Sequence, residues 1–95
     1  MSLTNTVVWI TGATSGIGEA LAEVYATQGA KLILSARREE ELERVKAECC
    51  RIGNLPAAHV LTLPLDLGDA ASLPSKVESA LQHFGAVDVM IHNAG

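Results

Sequence analysis

Three glycines and three hydroxyl side chains crowd one short stretch, Thr11-Gly12-Ala13-Thr14-Ser15-Gly16-Ile17-Gly18. Before it stands the apolar, β-branched run Thr6-Val7-Val8-Trp9-Ile10, and after it Glu19–Tyr25, which reads as a helix. Strand, glycine-rich turn and helix together suit phosphate. The backbone at glycine can pass close to a charged group, and the N–H groups at a helix start point at it. Gly12 is expected to make the turn, Gly16 to allow close approach, and Gly18 to let the helix sit on the strand. Thr14, Ser15 and Ile17 complete the cradle. An ordinary tight turn is the competing reading, but such a turn seldom needs this many glycines.

Three further groups fall at the ends of later apolar runs. Ser35-Ala36-Arg37-Arg38 closes the second. An NAD site places a carboxylate near this point to hold the ribose 2′-hydroxyl, and none stands at 34–38; arginine can instead meet a 2′-phosphate. Each charge-assisted hydrogen bond contributes about 1.5–3 kcal/mol. One or two from Arg37 and Arg38 would favour NADP(H) over NAD(H) by roughly ten- to a thousandfold. Leu65-Asp66-Leu67 closes the third run, where a carboxylate can accept from an adenine amino group. Asn93-Ala94-Gly95 closes the fourth, with small residues beside a ribose and an amide able to bridge backbone groups. Surface charge, a loop cap and a strand-end turn are the respective non-binding readings.

The elements that must hold these groups alternate. Strands are predicted at Thr6–Thr11, Lys31–Ala36, Val60–Asp66 and Val87–His92. Helices are predicted at Gly16–Gln28, Glu39–Ile52 and from about Ser72 to Phe84, with Asp69 as a cap for the last. The first helix carries an apolar stripe of Ile17, Ala20, Leu21 and Val24. The second carries Leu42, Val45, Cys49 and Ile52, and the third Leu73, Val77, Leu81 and Phe84. Glu40–Arg44 is an i,i+4 pair on the second helix. Pro64 suggests an outer place for the third strand. The order β-α-β-α-β-α-β calls for an α/β fold with a parallel sheet. Right-handed crossovers give strand order 3-2-1-4, a Rossmann-type sheet truncated after its fourth strand. Residues 1–95 are then a partial dinucleotide-binding domain.

Composition narrows the rest. The apolar share of 48% excludes a disordered tail. A net charge of −4 argues against nucleic acid. No apolar run reaches the ~18 residues of a membrane span, and Met1–Asn5 does not read as a signal peptide, so an intracellular, cytoplasmic setting is expected. The adjacent Cys49-Cys50 pair is neither a redox motif nor a zinc half-site; Cys49 is expected in the core with Cys50 flanking it. No metal site is expected. His59, His83 and His92 read as surface or strand-end residues.

Thr11–Gly18, Asp66 and Asn93-Ala94-Gly95, at these intervals, resemble the short-chain dehydrogenase/reductase family over nearly the whole chain. Val8–Gly12, Leu32–Arg38 and Leu63–Leu67 look most like its steroid- and retinoid-active branch. The resemblance implies pyrophosphate at the glycine turn, adenine at Asp66, the adenosine and ribose side along 93–95, and NADP(H) preference from Arg37. His92 departs from the usual Asn-Asn-Ala-Gly. The family's catalysis uses a Tyr with a Lys four residues on, a Ser and another Asn. The sole tyrosine here, Tyr25, is followed four residues later by Gly29, so no catalytic residue is assigned within 1–95. A carbonyl or alcohol substrate is expected only for a longer form. Alternatives are a non-catalytic nucleotide-binding or interaction module, self-associating through the bare edge of strand four, and an inactive truncation.

Overall fold

The computed structural model describes residues 2–66, 71 and 73–93. It contains β1 (Val7–Thr11), α1 (Gly16–Thr27), β2 (Lys31–Ser35), α2 (Glu39–Gly53), a 3-10 turn (Ala57–His59), β3 (Val60–Thr62), α3 (Leu73–Phe84) and β4 (Val89–Ile91). The strands form one sheet in the order β3-β2-β1-β4, with every pairing parallel. Thr11 stands opposite Ser35 at the last rung of β1 and β2. This register brings the glycine turn and the 35–38 segment to the same rim.

The unbroken apolar character of β1 and β2 follows from burial on both faces. On one face Val8, Ile10, Leu32 and Leu34 pack with Ala22 and Ala26 of α1 and with Leu42, Val45 and Cys49 of α2. On the other, Val7, Trp9 and Ile33 pack with Leu63 and with Ala80 of α3. Fully burying one such aliphatic side chain contributes about 1.5–3 kcal/mol. The α2 stripe is therefore as expected, with Ile52 partly buried at its end. Cys49 is buried and Cys50 is partly buried. Tyr25 packs partly buried against the first core.

Two expected stripes hold only in part: Leu21 and Phe84 pack partly buried against the two cores, and other members do not. In α1, Ile17 and Val24 are 71% and 56% exposed, and Ala20 is exposed as well. The buried residues are Gly18, Ala22 and Ala26. Helix and sheet approach closely here, so the fully packed face is built of the smallest residues, and of the larger ones in the stripe Leu21 alone turns partly toward it. In α3, Val77 and Leu81 are exposed and Ala80 is the buried residue, again a small side chain at the contact.

Ends and pairs differ too. The regular part of β3 stops at Thr62 rather than Asp66, and β3 lies at the sheet edge as Pro64 suggested. The segment still runs beside β2: Leu63 N donates to Leu34 O at 2.8 Å and Leu65 N to Ala36 O at 2.9 Å. β4 is shorter than Val87–His92. At its start Asp88 N donates to Val7 O and the Asp88 carboxylate accepts from Val7 N at 2.8 Å. Arg44 does not pair with Glu40; it bridges to Glu41 and, across the helices, to Glu19. Asp69 and the expected start of α3 at Ser72 lie outside the described residues.

Candidate functional site

The turn is built as its glycines suggest. Gly12 has φ +63°, a left-handed conformation that side chains rarely adopt. At Gly18 a Cβ would overlap the Gly12 carbonyl oxygen and stand 2.8 Å from Asn93 Nδ2. At Gly16 a Cβ would meet nothing within 4 Å, so the helix start is open on that side. The Ser15 hydroxyl caps α1, accepting from Gly18 N at 3.2 Å and donating to Gly12 O at 2.9 Å. Its part is thus to close the turn. The N–H groups of Gly16 and Ile17, the first helical residues, have no intrahelical acceptor. They carry the positive end of the helix dipole.

Asn93 ties β4 to this turn. Its Nδ2 donates to Gly12 O at 3.1 Å and to Ser15 Oγ at 2.9 Å. Its backbone N donates to Thr11 Oγ1 at 3.0 Å. His92 is exposed, with Nδ1 3.5 Å from Thr11 Oγ1. It stands at the strand end, clear of the cleft wall.

A cleft of about 400 Å³ opens along the rim where β1, β2 and the β3 segment end. Gly12, Thr14, Arg37, Arg38, Asp66 and Asn93 all contribute to its wall. The sheet therefore gathers residues from 12 to 93 that the chain keeps far apart. Ser15, Gly16, Ile17 and Gly18 form the helix start beside it. Leu67, Ala94 and Gly95 lie outside the described residues. Arg37 and Arg38 are exposed, and among the described residues neither guanidinium has an ion-pair partner. Arg38 occupies the N-cap position of α2 without a side-chain cap bond. Asp66 is exposed at the opposite lip.

The other charged groups are held away from the cleft or paired. Arg44 forks onto Glu19, with Nη1 3.2 Å from Oε2 and Nη2 2.9 Å from Oε1. These bonds hold its guanidinium above the ordinary arginine range. Arg51 likewise bonds Glu48, lowering that carboxyl from its usual value. Burial, assisted by the negative charge of Glu23, pushes the Cys49 thiol up to about 12. Among the described residues no cluster of His, Cys, Asp and Glu could hold a metal ion.

Residue patterning missed Ser35, Ala36 and Leu65 as parts of the cleft wall. It also missed the hydrogen bond from Trp9 Nε1 to Ser35 Oγ, 2.8 Å long and buried. The available signal was register: with Trp9 opposite Ile33, a serine two residues on lies on the same face of the sheet.

The model of the short chain dehydrogenase family matches residues 6–95. The chain belongs to that family. It is 50% identical over 93 residues to "Dehydrogenase/reductase SDR family member 7" of Mus musculus, covering 98% of this chain and 28% of that protein. It is 44% identical over 94 residues to "11-beta-hydroxysteroid dehydrogenase-like 2" of Arabidopsis thaliana, covering 99% of this chain and 30% of the relative. The L-sorbose reductase of Gluconobacter frateurii, solved with NADPH and L-sorbose, superposes with a TM-score of 0.88 at 33% identity, covering 100% of this chain and 35% of that one. The chain thus spans less than a third of the length of the curated relatives it matches, and its fold is a part of a short chain dehydrogenase Rossmann sheet. No helix among the described residues is long and apolar enough to cross a membrane.

Proposed function

We propose that this chain holds the adenosine and pyrophosphate side of NADP(H), as the cofactor-binding part of an oxidoreductase that moves a hydride between the nicotinamide and a carbonyl or hydroxyl substrate. The observation that carries the reading is the pair of guanidiniums of Arg37 and Arg38, without an ion-pair partner among the described residues. They stand on the same cleft as the glycine turn, with no acidic residue at 34–38. The site fits the group. The open Gly16 leaves room for a phosphate at the α1 N-terminus, and the cleft volume is within the range of small-ligand sites.

The division of labour follows from position. Gly12 and Gly18 set the path of the turn, Ser15 caps the helix, and Asn93 holds the turn against β4. The Gly16 and Ile17 N–H groups and the Thr14 side chain face the pyrophosphate. Arg37, with Arg38 beside it, takes the 2′-phosphate, and Asp66 takes the adenine amino group. Leu67, Ala94 and Gly95 join the cofactor contacts on the strength of the family resemblance. When bound, the cofactor supplies the hydride. The Tyr-x-x-x-Lys pair implied by the family resemblance is not among residues 1–95. Isothermal titration tests the reading: NADPH should bind more tightly than NADH, and Arg37→Asp should abolish the difference. Equal affinities in the unaltered chain would refute the Arg37 assignment.

A second reading draws on β4, which occupies a sheet edge with Val89 and Met90 exposed. Among the described residues no strand pairs with its outer edge, and such an edge is a template for another strand; the reading is self-association of this chain through β4. Light scattering after size exclusion tests it, and a monomer across the concentration range would refute it.

A further inference from the structure

The rim of the sheet carries two buried polar side chains, Thr11 and Ser35, each 1% exposed and directly opposite one another. Their hydroxyls are in different situations. The Thr11 oxygen accepts from Asn93 N, and its proton has the Ile91 carbonyl at 3.5 Å. The Ser35 oxygen accepts from the Trp9 indole at 2.8 Å. Indole N–H is a donor only, so the Ser35 proton cannot return the bond. Among the described residues that proton makes no hydrogen bond. Buried polar groups normally find their partners, and Ser35 belongs to the wall of the cleft.

We infer that Ser35 is a ligand-binding residue: its hydroxyl donates to an acceptor atom, a ring nitrogen or ribose oxygen, of the adenosine half of the bound dinucleotide, and Trp9 is the positioning residue that fixes the hydroxyl for it. The inference rests on the dinucleotide reading above. The adenosine half is specified by place. Ser35 opens the Ser35-Ala36-Arg37-Arg38 segment and lies between the glycine turn and the Asp66 lip. The pyrophosphate, by contrast, belongs at the α1 N-terminus.

Calorimetric titrations with adenosine 2′,5′-bisphosphate and with inorganic pyrophosphate test the inference. Ser35→Ala should weaken the adenosine probe about three- to tenfold, the fold-change of one neutral hydrogen bond, and leave pyrophosphate within about twofold. Because Ser35→Ala strands the indole N–H, the Trp9→Phe/Ser35→Ala double variant is measured alongside. Replacing both partners by apolar groups keeps the core satisfied, and circular dichroism confirms its folding. It should show the same selective loss, whereas Trp9→Phe alone, which retains the hydroxyl, should lose less. A folded double variant that binds the adenosine probe as tightly as the unaltered chain would overturn the assignment. So would an equal loss for both probes, which is the mark of a general distortion. If the unaltered chain does not bind the adenosine probe, the dinucleotide reading falls and this inference with it.

Discussion

Gly16 and Gly18 are two residues apart on one helix, and alanine at the two positions should have opposite effects. In a helix, glycine to alanine ordinarily stabilises by about 0.5–1 kcal/mol. At Gly18 that gain is overrun. The new Cβ would overlap the Gly12 carbonyl oxygen and sit 2.9 Å from the Gly12 carbonyl carbon and 2.8 Å from Asn93 Nδ2. The atoms it meets are mostly backbone, so the helix start must move away from the turn. Overpacking of this kind costs about 1–3 kcal/mol. The displacement also strains the two Asn93 Nδ2 bonds, to Gly12 O and Ser15 Oγ, each contributing about 1 kcal/mol. The net loss expected for Gly18→Ala is about 2–4 kcal/mol. In a domain of this size that lowers the melting temperature by roughly 10 °C or more. At Gly16 nothing lies within 4 Å of a Cβ, and the residue does not have positive φ. Gly16→Ala should therefore leave the melt unchanged or raise it by a few degrees, with up to about 1 kcal/mol gained through the unfolded chain. The same methyl stands on the open side where a pyrophosphate would approach, so NADPH affinity should fall. Thermal melts by circular dichroism and calorimetric titration of both variants are the assay. A Gly18→Ala melt matching the unaltered chain would refute the packing argument. A Gly16→Ala variant that keeps full affinity would refute the approach argument.

The two cysteines should be distinguishable by a thiol reagent. The buried, weakly acidic Cys49 stays unreacted in the folded chain while Cys50 labels, and denaturant exposes both; rapid labelling of Cys49 in the native state would contradict its burial. Stability should also fall in alkali. The folded thiol holds its proton up to about 12, while the unfolded thiol loses it near 8.5. Stability is thus level below about pH 8.5 and declines above it by up to about 1.4 kcal/mol per pH unit. Cys49→Ala should flatten that decline in denaturant titrations, and an unchanged slope would count against it. Asn93→Ala removes both side-chain bonds to the turn and should lower stability by about 1–3 kcal/mol in urea unfolding; a loss under 0.5 kcal/mol would show that the turn holds itself.

Much was readable from residue order because it depends on local chemistry. Alternating apolar runs and amphipathic stretches, joined by right-handed crossovers, lead to a parallel sheet in the order 3-2-1-4. Glycine at positions 12 and 18 announces a turn and a close contact that no side chain would permit. The α2 stripe of Leu42, Val45 and Cys49 was legible because it is the helix's only apolar face. In α1 two faces compete, one of larger residues through Ile17 and Val24, one of Gly18, Ala22 and Ala26. Which one packs depends on how closely the sheet approaches, and that is a property of the assembled layers. The same holds for Ala80 in α3. The Arg44 pairing depended on α1 lying beside α2, bringing Glu19 within reach of a residue 25 positions away. Chain order also could not state which hydroxyls at the rim are satisfied. The sequence by itself determined the glycine turn and the basic residues that follow β2, since backbone freedom and charge belong to residue types. Only the tertiary structure decided that Trp9 holds Ser35, that Asn93 braces the turn from β4, and that Arg37 and Asp66 share one cleft, because these depend on the register of parallel strands and on groups that meet only when the sheet closes.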